Sequence, residues 1–510
     1  MRSRMGRVAL AGLLGAGVLA ATIAPAGAQT PLSVTVCHTQ DIGLIDPARG
    51  VLLNELNNLW VNIYETLVSR EPGGRLVPAV AESWEVKSPT EWVFKIRRGI
   101  TFHDGEALNA DAVKATLDRY QEKDKQRYGA VASGVKDVTV IDPYTVRITT
   151  PTPDAAFLER LFEVPILPPG YLKQVGEQGF LQKPIGSGPY RWVEWVKGSH
   201  FTLEANPKYW RGEPAVKRAT FKLIPEIATR VSALKAGECD IALQVPPDLI
   251  EEVEKTGTVR IAPAESPRII YFILYPQSTL GGGAPLNDLR VRQAINHAVD
   301  VDKIIKFILN GQAVRVATLY GRQTAGFDPE VKPYEYNPQK AKELLAQAGF
   351  PNGFTIGLDA PIGGNPNKPV EVAQAVAADL EKVGIKTQVR TLDTATYAQM
   401  KFGYKLAPIL MWNWMAFEAD YILYAQAHSK AQFFHYPGHT PEVDRLMEQE
   451  RSELNPTKRL AVLKAIQQKV RDDAPFLVLY QQKDIFGVNK RLDWNSVPGG
   501  YLYLNTIKSR

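Results

Sequence analysis

Between residues 183 and 242 the chain reads KPIGSGPYRWVEWVKGSHFTLEANPKYWRGEPAVKRATFKLIPEIATRVSALKAGECDIA, and few folds accommodate that order of segments. It opens on a turn, Gly186-Ser187-Gly188-Pro189-Tyr190, in which glycine allows a tight backbone and proline fixes φ. Two runs rich in aromatic and β-branched residues, 190–196 and 200–204, read as strands. After Asn206-Pro207-Lys208-Tyr209-Trp210-Arg211-Gly212, a third strand is predicted over 219–224. A helix over about 227–235 follows and stops at Ala236-Gly237-Glu238.

The rest of the chain mixes the same two kinds of element, without repeats or low-complexity tracts. Helical spacing of apolar residues runs over 54–68, through Leu56, Leu59, Trp60, Ile63, Tyr64 and Leu67. Residues 91–96 alternate as a strand, and Phe102-His103-Asp104-Gly105 is a turn. Asn109 caps a helix carrying Val113, Thr116, Leu117 and Tyr120, while 138–141 and 144–149 form a hairpin around Asp142-Pro143. A second large unit begins after the apolar strand 271–274 and the glycines at 281–283. There Asn287 is predicted to cap a helix over 288–300, with another over 302–309. Asn337-Pro338 starts a helix that Gly349 ends, and further helices are predicted over 370–382 and 456–472, with strands over 386–391 and 406–412. Such alternation points to α/β lobes.

Four of these stretches, GSGPY, ANPKYWRG, IPEIATRVSALKAGECDI and PLNDLRVRQAINHAVD, resemble the extracytoplasmic solute-binding proteins of family 5. That family comprises the dipeptide, oligopeptide, nickel and opine receptors of ABC importers. The likeness is ordered and covers essentially all of the chain beyond residue 28. It implies an α/β fold of the periplasmic binding protein type II, with two lobes, an extra inserted domain and an interlobe ligand cleft closed by a hinge. Domain I would comprise 29–59, 182–275 and 480–510, domain II would be the insertion 60–181, and domain III would be 276–479. The chain would cross between lobes near 270–280 and again near 480.

Residues 1–28 read as a signal peptide. Arg2, Arg4 and Arg7 form a basic start, 8–23 is free of charge, and Ala26-Gly27-Ala28 is a small-residue cleavage site. An uncleaved anchor is the alternative, which Pro25 and the cleavage site disfavour. No cysteine stands at that point, so a lipoprotein anchor is not expected, and the mature chain is expected to be exported to the periplasm. Removing the segment lowers the formal net charge from +6 to +3, so the basic balance says little about nucleic acid or anionic lipid. The remaining 482 residues call for two or three domains. The cysteines are Cys37 and Cys239, and the residues alone allow a disulfide or two buried thiols. Resemblance to the dipeptide receptors implies that they are joined.

No HExxH, GxSxG, P-loop or CxxC pattern occurs, so an enzyme is not expected. His428, His435 and His439 fit no zinc spacing, and neither a metal nor a cofactor is expected. The densest candidate for a binding surface is 409–424, ILMWNWMAFEADYILY, in which Trp412, Trp414, Met415 and Phe417 either pack as core or wall a cleft. In peptide receptors of the family a Trp precedes, by a few residues, an Asp that pairs with the ligand's ammonium. Aligning Trp412 with that Trp puts Met415 at the Asp position, with Glu418 and Asp420 the nearest acids. Dipeptide receptors also carry an Arg for the ligand carboxylate in the loop before the long helix. Here that loop, 360–368, contains Asn365 and Lys368 but no Arg. Further candidates are Gln40 and Asp41 after the first strand, Tyr271 at the first crossing, and Arg268 and Arg322.

The resemblance therefore implies a monomeric periplasmic binding component of an ABC importer, with the inner-membrane permease and ATPase as partners and no nucleic acid. It would capture a peptide or peptide-like solute, with simple dipeptides disfavoured. The alternatives are a non-peptide solute (an opine, a sugar derivative or a nickel–chelator complex) or a chemosensory receptor role.

Overall fold

The computed structural model describes residues 31–510 except 43–44, 49–53, 72–73, 123–133, 364–365, 404 and 431–439, and the side chains of 54–57 and 402. Residues 1–28, Asn365, His435 and His439 therefore lie outside the described residues.

One mixed sheet of eleven strands runs through the molecule. From one edge its order is Ile385–Leu392, Phe354–Pro361, Ile409–Met415, Val259–Leu274, Phe476–Asn489, Ile241–Ala242, Leu32–His38, Val216–Leu223, His200–Ala205 and Tyr190–Val196, and Ala313–Arg315 pairs with Phe476–Asn489 beside this path. Val259–Leu274 and Phe476–Asn489 are the long members, antiparallel to each other, and both serve two cores. Ala262 and Ala264 pack with Val34, Phe201 and Phe221 in one apolar cluster. Ile270 and Phe272 pack with Val291, Leu358 and Val376 in another. Between them the strand pairing slips, at Glu265–Ile269. That irregularity lies just upstream of the apolar run 270–274. On the second strand Tyr480 belongs to one core and Phe486 to the other.

A separate four-stranded antiparallel sheet, Ala81–Ser88, Glu91–Ile96, Thr145–Thr149 and Asp137–Asp142, carries the helix Ala110–Gln121 over its own core of Trp92, Phe94, Val113, Leu117 and Ile148. Asn109 caps that helix, its side chain accepting from Ala112 N–H at 3.1 Å. The helix expected over 54–68 ends at Ile63, since Val68–Arg70 is already a strand paired with Leu76–Pro78. Asn287 does not cap the helix Leu289–Ala298. It sits in a preceding 3₁₀ turn and donates to Ala284 O, while Asp288 accepts from Arg290 N–H at 2.8 Å as the cap.

The Gly-Ser-Gly turn is explained by space. A Cβ on Gly186 would lie 2.1 Å from Ile63 O, and one on Gly188 2.6 Å from Ile63 C, so the turn rests directly on the backbone of the preceding helix. Gly188 N–H donates to Ile63 O at 2.8 Å. His103 locks the same turn: its Nδ1 accepts from Gly186 N–H at 3.3 Å and its Nε2 faces Gly188 O at 3.1 Å. Burial pushes this imidazole down to about 4, so it stays neutral as a structural link. Cys37 and Cys239 form a disulfide that ties the first strand to the segment before Ile241–Ala242.

Candidate ligand cleft

The two long strands emerge from lobe one with polar side chains and enter lobe two as apolar ones. Where Glu265–Ile269 breaks register, Gln481 Nε2 donates to Ser266 O at 2.8 Å, and Gln481 also bonds Gln323. Gln323 Nε2 donates to Glu265 at 2.6 Å. One residue on, Gln482 Oε1 accepts from Asn367 N–H at 2.8 Å, fixing the end of the loop before the helix Pro369–Glu381. These amides satisfy one another at the junction of the lobes, where a strand-to-strand ladder is interrupted.

Arg268 is a buried cation at this junction. It is only 5% exposed, stands opposite Met415 in the strand pairing, donates to Asn413 Oδ1 at 2.5 Å and lies 3.9 Å from the Met415 sulfur. Asp484 lies half-buried on the neighbouring strand. Burial pushes its carboxyl above the ordinary range, against the opposing pull of Arg268, Ser266 and Gln482. Gly500 permits this close approach, since a Cβ there would meet Asp484 Oδ2 at 3.0 Å.

Strand alternation sorts the aromatic segment onto two faces. Asn413 and Met415 turn toward Arg268. Trp412 and Trp414 turn to the opposite face, where Trp412 joins a core cluster with Ile269, Tyr271 and Leu410, beneath the Lys401 ammonium. Burial pushes that ammonium down to about 6. Trp412 thus packs in a core, one of the two places the sequence left open for it. Tyr271 belongs to the same cluster: it is 0% exposed and packs edge-on against Phe476 at 5.3 Å. Trp414 is half-buried and tilted over Tyr421 at 5.8 Å. Phe417, past the strand end, sits under the Arg70 guanidinium at 4.2 Å and against Gly74 and Gly499, so it touches the other lobe.

Asp41 was expected to face ligand. Instead it accepts from Trp195 Nε1 at 2.9 Å and from Gly198 N–H at 2.7 Å, which holds the turn between two strands of lobe one. Gln40 precedes it, half-buried. Lys368 forms an ion pair across the lobes with Asp248 at 3.0 Å. Arg322 contributes its backbone N–H to Gln481 at 3.0 Å. His428 stacks on Tyr424 at 4.1 Å. Asn413, Asp484, Gln323 and Glu265 escaped the reading of the sequence. For Asp484 the signal was the polar run Gln481-Gln482-Lys483-Asp484 inside an otherwise apolar strand.

The model of the bacterial extracellular solute-binding proteins, family 5 Middle, matches residues 75–434, more than half of the chain. This chain belongs to that family. The glutathione-binding protein GsiB of Pectobacterium atrosepticum is 30% identical over 84% of this chain and 85% of its own length. Heme-binding protein A of Haemophilus influenzae is 29% identical over 69% of each chain. Among solved structures, the periplasmic binding protein DppA of Helicobacter pylori with the peptide STSA superposes with a TM-score of 0.80 at 26% identity, over 94% of this chain and 98% of that one. NikZ of Campylobacter jejuni with Ni(L-His) does so with 0.81 at 22%, over 94% and 99%. The α/β architecture is accordingly that of a two-lobed periplasmic binding protein. Members of the family act outside the cytoplasm, bind small solutes or peptides, and work with an ABC permease and ATPase; their role is binding, not catalysis.

Proposed function

We propose that this chain captures a peptide or peptide-like solute in the periplasm by closing its lobes and delivers it to an inner-membrane permease, and that simple dipeptides are poor ligands. In this reading residues 1–28 are removed on export, no lipid anchors the product, and it acts as a monomer without nucleic acid. The three groupings 29–59 with 182–275 and 480–510, 60–181, and 276–479 move as domains. Gln40, Met415 and Phe417, joined by Arg268, Asn413 and Asp484, would line the cleft, with Trp414 on the opposite face of its strand as a support.

One observation carries the disfavouring of dipeptides. Glu418 and Asp420, the acids nearest Met415, are both buried and taken by guanidinium groups: Arg459 holds Glu418, and Arg160 and Arg451 hold Asp420. Neither is available to an ammonium, and Met415 faces a cation. A zwitterion placed there would lack its partner, which is expensive in a buried site. Isothermal titration should find simple dipeptides at least about 100-fold weaker than an N-acetylated tetrapeptide, which carries no ammonium. A sub-micromolar Kd for a dipeptide would sink the proposal.

Arg268 beside Asn413 also favours a second reading, a non-peptide carboxylic solute such as an opine. The same titration with an opine separates the two. A chemosensory role would show itself in genes for a signalling partner, in place of a permease, alongside this one.

A further inference from the structure

Away from the crossing strands, lobe one touches lobe two through a second set of charges. The short helix Phe157–Phe162 carries Arg160, whose Nε donates to Asp154 Oδ2 at 2.8 Å and whose Nη2 donates to Asp420 Oδ2 at 2.7 Å. Asp154 lies in the same lobe as Arg160. Asp420 lies in the first turn of the helix Ala419–Gln426 of the other lobe, with its side chain 1% exposed. Arg451 donates to Asp420 as well, from Nε at 2.6 Å and Nη2 at 3.1 Å. Next to this pair, Ala155 N–H donates to Arg451 O at 2.8 Å, a main-chain bond between the lobes at the same spot. Behind it Arg459 joins Glu418 at 2.7 Å to Glu450 at 2.6 Å.

The arrangement has the properties of a reversible catch. Parting the lobes would separate Arg160 from Asp420, yet Arg160 keeps Asp154 and Asp420 keeps Arg451. No buried charge is stranded in either state, which removes the large penalty that usually follows breaking a buried pair. Among the described residues a second interlobe ion pair, Lys368–Asp248, is 23% and 49% exposed, so water screens it and its contribution is small.

We propose that Arg160 is a positioning residue for closure. Its ion pair with Asp420, together with the Ala155–Arg451 main-chain bond, latches the inserted unit onto the other lobe and holds the cleft shut without touching the solute. This rests on the lobe-closure reading given above.

The test is small-angle X-ray scattering of solute-free full-length mature protein, with circular dichroism and thermal unfolding as checks that each variant is folded. Arg160→Gln is expected to shift the radius of gyration upward. Arg160→Lys, which keeps the charge, should restore most of the compact form, and Lys368→Gln should shift it less than Arg160→Gln. Arg160→Glu sets a carboxylate against Asp420 and is expected to raise the radius of gyration more than Arg160→Gln does. If folded Arg160→Glu and Arg160→Gln both scatter like wild type, the pair does not hold the solute-free lobes together and the latch is overturned, whereas the closure reading fails if an N-acetylated tetrapeptide that binds the wild type leaves its radius of gyration unchanged. If Arg160→Glu opens while Arg160→Gln scatters like wild type, the latch alone is overturned. Should Arg160→Glu not fold, the comparison of Arg160→Gln with Arg160→Lys and wild type still decides the latch.

Discussion

Glu450 shows how strongly one side chain's surroundings can set its chemistry. Burial, helped by the charges of Asp420 and Glu418, raises its carboxyl to about 8, with Arg459 pulling the other way. Asp420 behaves oppositely: burial would raise it, but Arg160 and Arg451 hold it down to about 2. The signs follow from proton counting. Between the ordinary carboxylate range and about 8 the folded chain keeps a proton on Glu450 that the unfolded chain has lost, so stability falls as pH rises through that window. The Asp420 contribution is complete above its ordinary range and is lost as pH falls toward about 2. Glu450→Gln keeps the uncharged form, so its thermal midpoint should drop less than wild type between about pH 5 and about pH 8. Parallel drops in the two proteins would refute this assignment. None of it was visible in the sequence, where Glu450 is one acid among many. The same holds for Asp41: its partner Trp195 is 154 residues away, and only the folded chain shows that the carboxylate is already spent on a turn.

At the scale of elements, local chemistry was the better guide. Strands at 190–196 and 91–96 and the helix at 227–235 appear at the expected bounds, because aromatic and β-branched runs and apolar periodicity are themselves the cause of those elements. Boundaries slipped where a neighbour decided them. Asp288 took the cap from Asn287 because the 3₁₀ turn had already used the Asn287 amide. The Gly-Ser-Gly turn was read as a need for backbone freedom, but neither glycine has a positive φ, and the need is for room beside Ile63. Gly186→Ala should therefore destabilise the fold by about 1–3 kcal/mol in denaturant titration, since a backbone carbonyl cannot step aside like a side chain. An unchanged midpoint would show that the turn can retreat from the helix. In the aromatic segment, alternation along Ile409–Met415 was legible, but which face met the core was not. That choice depends on Val259–Leu274, a strand about 140 residues upstream that no local pattern announces.

For the whole molecule, the class of fold was accessible from the order of motifs, while the site was accessible only in part. Arg268 and Asp484 come from strands more than 200 residues apart in sequence, and their meeting at the lobe junction is a property of the sheet order. The disulfide belongs to this scale too. Cys37 and Cys239 are separated by 202 residues, and closing so long a loop restricts the unfolded chain by an amount worth up to about 5 kcal/mol in the chain-entropy account. Both sulfurs are fully buried, so a reductant should leave the native protein intact until it unfolds. Cys37→Ser with Cys239→Ser should lower the denaturation midpoint markedly and make it insensitive to dithiothreitol. A double variant as stable as wild type would show that the bridge does not restrain the chain.

The core of lobe one holds a lesson about time as well as space. Val34, Val36 and Leu59 come from its beginning, Phe201 and Phe221 from its middle, and Phe486, Leu502 and Ile507 from its last stretch, yet they pack in one cluster. The middle of the chain builds the other cores in the interval, whereas this one lacks its closing pieces until the final strand has been made. A ribosome releasing the chain from its N-terminus would thus emit a long stretch that cannot complete its first core. A chain so arranged leaves its first core unfinished for nearly the whole of its synthesis.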